Sequence, residues 1–238
     1  MSTVAWIDAC QEKTKQQMKK IITTLLGALG ANSSDKAQAP AQVVDVPADS
    51  ILFSMPTIAM DDIEFDIPTA STAEGAPQFH EDDWRQLEFF PGTRLVEVQA
   101  SLKELKSFEA THRAQHGWTQ IYVREISPAA VGVSVADIEH ELDASTRPAP
   151  ILTSASHPLG QVKHGFSLAV GKNAYLYGVQ QREQITVLGA SLQGADNMLL
   201  TTAFSTLNQK FGLILVDWAQ QFILVNIDSS GQFEAWRP

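Results

Sequence analysis

One cysteine, Cys10, is all that the 238 residues contain, so no disulfide within the chain can hold its fold. Such scarcity matches a reducing compartment, and the chain is expected in the cytoplasm. No stretch approaches the ~20 apolar residues that a bilayer-spanning helix needs. The Gly-rich dinucleotide fingerprint and the Walker-type loop are both missing, so the sequence offers no backbone cradle for phosphate, and no cofactor is expected. Cations cluster nowhere beyond the first thirty residues. Binding to a phosphate backbone gains from counterion release only where cations cluster, which argues against a nucleic-acid partner.

The sequence does contain a core's worth of apolar residues: 44% are hydrophobic and 18% charged, an ordinary globular balance. The net charge of −10 is uneven. Residues 1–30 carry four lysines against two acids, whereas residues 31–80 carry Lys36 alone against eight acids.

Three regions follow from this distribution. Residues 1–30 read as a basic amphipathic helix over 4–29, with Ile7, Cys10, Thr14, Met18, Ile21, Leu25 and Leu29 recurring at spacings of three and four. Ile7, Met18, Ile21 and Leu25 are the candidate partner-binding residues. The helix is expected to dock on its own protein, pair with a second copy or another protein, or lie on an anionic membrane surface. Translation starting at Met18 would instead make Met18-Lys19-Lys20 and the apolar run after it resemble a short export signal. Residues 31–80 read as an acidic linker with an edge strand, where Ile63, Phe65 and Ile67 alternate with Asp62, Glu64 and Asp66 between Pro56 and Pro68. Residues 81–238 read as the folded body, with a sub-boundary placed near 127–160.

Within the body, Trp84 to Phe90 reads as a strand and 94–116 as a helix capped by Thr93. Trp118 to Ile126 reads as a strand and Val135 to Leu142 as a short helix. Three strand-like runs follow, Gly165 to Val170, Ala174 to Val179 and Gln184 to Gly189. Asp196 then caps a helix reaching Phe211, and Gly212 ends it. The segments LILVDW (213–218), FILVNI (222–227) and QFEAW (232–236) complete a second meander. The first two are apolar on alternate residues of both parities, so both faces of that sheet must be covered, one by the helix ending at Phe211 and the other by the helix at 94–116. The expected fold is α+β, an antiparallel sheet of two strand meanders flanking a helix, with a second covering helix. This order is similar to the profilin-like and PAS-like architectures as a topology, without a shared motif.

For chemistry, Glu109-x-x-His112-x-x-x-His116 stands out, because residues three, four and seven apart share a helical face and could converge on a metal ion. Arg113 stands where a zinc protease has its glutamate, and no second Glu-x-x-His completes a di-metal site. The plainer reading has His112 closing the apolar face while Glu109 and His116 are solvated. Gly189-x-Ser191 sits between a strand and a helix, as a nucleophile elbow does, but residue 193 is Gln where the elbow has Gly. The acidic run at 61–66 lacks the glycine of a calcium loop and reads as an exposed strand face. Three classes of function remain: a non-catalytic interaction or scaffold module with a tethered amphipathic helix, a metal-dependent or serine hydrolase, and a small-ligand sensing domain.

Overall fold

A computed structural model describes residues 52–128, 130–155, 157–228 and 230–238. The helix expected over 4–29, with Ile7, Met18, Ile21 and Leu25, and the linker at 31–50 lie outside the described residues. The described residues belong to one unit, Leu52–Pro238, so strands from Thr57 onward are part of the body that the sequence places from residue 81.

Eight strands make the main sheet: β1 (Leu87–Pro91), β2 (Ser145–Arg147), β3 (Gly165–Gly171), β4 (Ala174–Gln181), β5 (Gln184–Leu192), β6 (Leu213–Asp217), β7 (Phe222–Ile227) and β8 (Phe233–Trp236). Their spatial order is β8-β7-β6-β1-β5-β4-β3-β2, and every neighbouring pair is antiparallel. Tight turns build the two meanders. Between β4 and β5 both Arg182 and Glu183 adopt positive φ, which matches the twist of a two-residue hairpin. Three helices accompany the sheet: α1 (Leu95–His112), α2 (Val135–Leu142) and α3 (Asn197–Phe211). Asp196 caps α3 by accepting from the Met198 amide, and Gly212 ends it in the left-handed conformation. Ser134 and Asp137 form a reciprocal capping box at the start of α2. Because α3 links β5 to β6 while β1 lies between them, the three form a βαβ unit split by an inserted strand.

The period of two along β6 explains how the layers assemble. Leu213 and Leu215 join Phe89, Leu176 and Leu188 on one face, where Phe204 and Leu207 of α3 and Ile138 of α2 pack. Ile214 and Val216 point the other way with Phe90 and Ile223, against Val98, Leu102 and Leu105 of α1. The segments LILVDW and FILVNI are thus the middle layer, covered on both faces. Farther along the second face a smaller sheet takes over from α1. Its order is 65–66, 157–162, 151–154, 78–80, and Phe79, Trp84, Leu152 and Val162 from this region meet Tyr177 and Val187 of the main sheet. Tyr177 has room because its cross-strand partner is glycine: a Cβ at Gly189 would lie 2.7 Å from the tyrosine ring.

Several local expectations change. α1 begins at Leu95 behind a 3-10 turn at Gly92–Arg94, with Arg94 rather than Thr93 at the cap position. It ends at His112, four residues short of the expected end, because the chain turns extended at Arg113 and pairs Arg113–Ala114 with Gly117–Trp118. The strand expected over 118–126 is broken into Gly117–Trp118 and Tyr122–Arg124, since Trp118 bonds to Phe53 while Tyr122–Arg124 pairs in parallel with Thr57–Ala59. The hairpin of Ile151–Ser154 and His157–Val162 fills a stretch to which the sequence reading assigns no element. Among the described residues no helix is long and apolar enough to cross a membrane.

Candidate functional site

Two features stand apart from ordinary packing: a buried cluster of charges behind the smaller sheet, and an exposed apolar strand at that sheet's rim. The first begins where the chain enters β1. After the 3-10 turn Glu81–Asp83 the chain reaches Arg85, which has φ of 57°. The Tyr177 hydroxyl holds this turn, accepting from the Arg85 amide at 2.8 Å and donating to the Asp83 carbonyl at 3.3 Å. The left-handed residue costs backbone energy, and it turns the Arg85 side chain into the protein.

Arg85 and Glu88 are each 2% exposed. The Arg85 guanidinium donates from Nε to Glu88 Oε1 at 2.8 Å and from NH1 to Asp61 Oδ1. Asp61 Oδ2 also accepts from the Trp84 indole at 2.9 Å. Glu88 Oε2 accepts from the Trp218 indole at 3.2 Å. Arg124, equally buried, lies with its guanidinium carbon 4.7 Å from the centre of the Trp218 ring and donates to the Arg85 carbonyl and to Thr57. Two cations thus face two carboxylates, and the cluster is formally neutral.

Burial pulls the Arg85 guanidinium down, but the Glu88 and Asp61 carboxylates outweigh it and hold it above its ordinary value. For Arg124 burial prevails over the pull of Glu88, and its guanidinium is lowered to about 9, so it remains charged at neutral pH. Burial raises the Tyr177 hydroxyl, which stays protonated. Each carboxylate oxygen in the cluster is taken by an arginine or an indole. Chemically the arrangement is a lock: it joins the 52–62 segment, the β1 entrance and Arg124 at one point, and its carboxylates are occupied rather than poised for proton transfer.

The sequence-derived metal candidates meet a different fate. Glu109 accepts from Arg113 at 2.8 Å, from the Trp118 indole at 3.0 Å and from Gln221. Burial alone would raise its carboxyl, but these hydrogen bonds prevail and hold it below its ordinary value. The His112 ring stacks on Phe108 with centroids 4.0 Å apart, and its Nδ1 lies 2.9 Å from the Phe108 carbonyl. His116 is exposed in the turn beyond the helix. The spacing of seven predicts convergence only if the helix continues, and it stops at His112, so the three side chains are not gathered. Among the described residues no three His, Cys, Asp or Glu side chains are grouped to hold a metal ion. Ser191 lies within β5 opposite Tyr175, in a ladder that continues to Leu192, and not on a sharp turn.

The second feature is the strand Phe65–Asp66, the outermost of the smaller sheet. The acids Asp62, Glu64 and Asp66 are exposed, as their alternation predicts, but the apolar positions are not the buried face expected of them. Phe65 is 36% exposed and Ile67 92%. The strand lies at the rim, and of the three alternating apolar residues only Ile63, two residues ahead of it, packs against the Phe79–Trp84–Tyr177 cluster. Phe65 pairs with Val162 and packs close to Gly160, where a φ of 146° and the 2.7 Å that would separate an added Cβ from the Phe65 Cβ leave no place for a side chain. Leu159, beside it in the neighbouring strand, is 38% exposed.

The sequence reading places the edge strand but expects its apolar face to be buried, and it misses the charge cluster. A charge at Glu88 inside the apolar run LEFF, with Arg85 three residues before it, was the available signal for the cluster. No family model matches the chain, and neither a curated protein nor a solved structure matches it.

Proposed function

We propose that the chain is a non-catalytic protein-interaction module that presents the rim of its smaller sheet to a protein partner. The observation that carries this reading is Ile67: a large aliphatic side chain 92% exposed, directly after the Phe65–Asp66 strand and two residues from the partly exposed Phe65. Neighbouring apolar groups left to water at a sheet rim mark a contact surface better than scattered ones do. The chemically capable side chains support the same reading, because Arg85, Glu88, Asp61 and Glu109 are committed to contacts within the protein.

The basic amphipathic segment over 4–29 supplies a second, tethered contact through Ile7, Met18, Ile21 and Leu25, with self-association or peripheral membrane binding as its other modes. The test is a photo-crosslinking residue placed at position 67 of the full chain in its native cell, with Met198 on α3 as the control position. A discrete protein adduct at 67 and none at 198 is expected. Equal or no labelling at both positions removes the reading.

A further inference from the structure

We infer that the free edge of the Phe65–Asp66 strand accepts an extended segment of a partner protein whose side chains alternate between apolar and basic, adding a fifth strand to the smaller sheet. This rests on the interaction-module reading and specifies its geometry and its partner's chemistry.

The first ground is position. Phe65–Asp66 pairs on one side with Gln161 and Val162, and the Lys163 amide extends the ladder by donating to the Glu64 carbonyl at 2.9 Å. The strand ends the sheet order, so its other side has no strand beside it among the described residues. An open edge offers main-chain donors and acceptors to any extended chain, and proteins commonly blunt such edges with lysine, a bulge or a covering element. Here no lysine or arginine lies anywhere in residues 52–84.

The second ground is side-chain chemistry. Alternation places Phe65 and Ile67 on one face and Glu64 and Asp66 on the other. A strand laid alongside would set its own alternate residues against these two rows. Apolar residues fit against Phe65 and Ile67. Cations fit the other row, because Glu64 and Asp66, with Asp62 before them, are exposed on it. Lys163 already sits 2.6 Å from Glu64, which shows that a lysine fits this row from the inner side.

The third ground is rigidity. Asp61, four residues before Phe65, is fixed by Arg85 and Trp84, and Ile63 is packed under the smaller sheet. An edge held this way loses little conformational freedom when a partner arrives, which favours binding. The same charges discriminate among occupants. A second copy pairing through this strand would set acid against acid, and an anionic lipid surface or a nucleic acid would be repelled.

The test uses the full chain and fluorescently labelled peptides, read by anisotropy. The probes are an alternating Lys-Val peptide, an alternating Glu-Val peptide of the same length, and the Lys-Val peptide with its central residues replaced by proline, which removes main-chain donors. The Lys-Val peptide is expected to bind saturably, and the other two roughly tenfold or more weakly. Ile67→Lys and Asp66→Lys should each weaken the Lys-Val peptide about fivefold or more while leaving the circular dichroism spectrum intact, since both side chains are exposed. Met198→Lys should leave binding unchanged. Absence of Lys-Val binding, equal binding of the proline peptide, or indifference to Ile67→Lys overturns strand addition. An adduct at position 67 together with any of these results would keep the interaction reading and discard only the geometry, whereas failure of that adduct removes the reading itself.

Discussion

The two faces of the main sheet are covered by different physics. Against α3 and α2 the contact is mainly aliphatic and aromatic, with Leu176, Leu188, Leu213, Leu215 and Phe204 essentially withdrawn from water and Asn208 of α3, bonded to the backbone of β6 and β7, as a polar exception. On the opposite face the apolar packing under α1 gives way to Arg85, Glu88, Asp61 and Arg124 before the smaller sheet begins. An apolar interface tolerates small changes of shape, because dispersion and the hydrophobic effect have little directionality. A buried charge cluster is directional: each member needs its partner at one place. Strength on the first face comes from area, and on the second face the relative placement of β1, the 52–62 segment and Arg124 comes from matched charges.

Breaking one member of the cluster should therefore be the most damaging change. Glu88→Ala leaves Arg85 and Arg124 facing a single carboxylate and should cost about 3–5 kcal/mol, measured by urea titration. The paired replacement Arg85→Met with Glu88→Leu removes one charge of each sign, and should cost less than Glu88→Ala alone. A paired variant as unstable as the single one would show that the charges act by their packing, not by their balance. On the dry face, Leu215→Ala should cost about 2–5 kcal/mol through lost burial and the cavity left under α3, toward the lower end if Phe204 relaxes into the space. The smallest effect belongs to the half-buried Glu109. Its carboxyl is depressed in the folded protein, so its contribution is present in full above the ordinary value of 4.5 and fades as the pH falls through the lower folded value. Gln221→Ala removes one of the hydrogen bonds responsible and should make the acid limb of the stability curve shallower, while leaving the curve above pH 6 nearly parallel to that of the parent (both followed by tryptophan fluorescence). An unchanged acid limb would assign the depression to Arg113 and Trp118 alone.

The aliphatic face was the readable one. The apolar runs at 213–218 and 222–227, the Asp196 cap and the Gly212 stop declare themselves locally, since a period and a cap need only neighbouring residues. The short helix at Val135–Leu142 was legible for the same reason. The charge cluster was not, because its members come from positions 61, 85, 88 and 124 and only folding makes them neighbours. Pro158 and Gly160 disguised the 157–162 strand, whose pairing slips by one residue between them. The end of α1 at His112 hinges on Trp118 and Thr119 reaching back to Glu109 and His112, contacts that no spacing rule anticipates. Ile67 looked like a buried position because alternation reports which residues share a face, and it does not report whether anything covers that face.

The order in which the main sheet can be completed follows from where β1 lies. Each meander zips up from consecutive hairpins, which are quick local events, whereas β1 arrives from more than fifty residues upstream of its nearest meander to fill the slot between β5 and β6. It binds β6 along five residue pairs and β5 along two, so its docking is decided on the β6 side. Until it docks, two central strands have naked inner edges, and during synthesis β1 is already made when β6 emerges, so the slot can be filled as soon as its β6 side exists. Refolding from denaturant lacks that schedule, and the bare slot between the meanders is then the place where a stranger's strand can enter first.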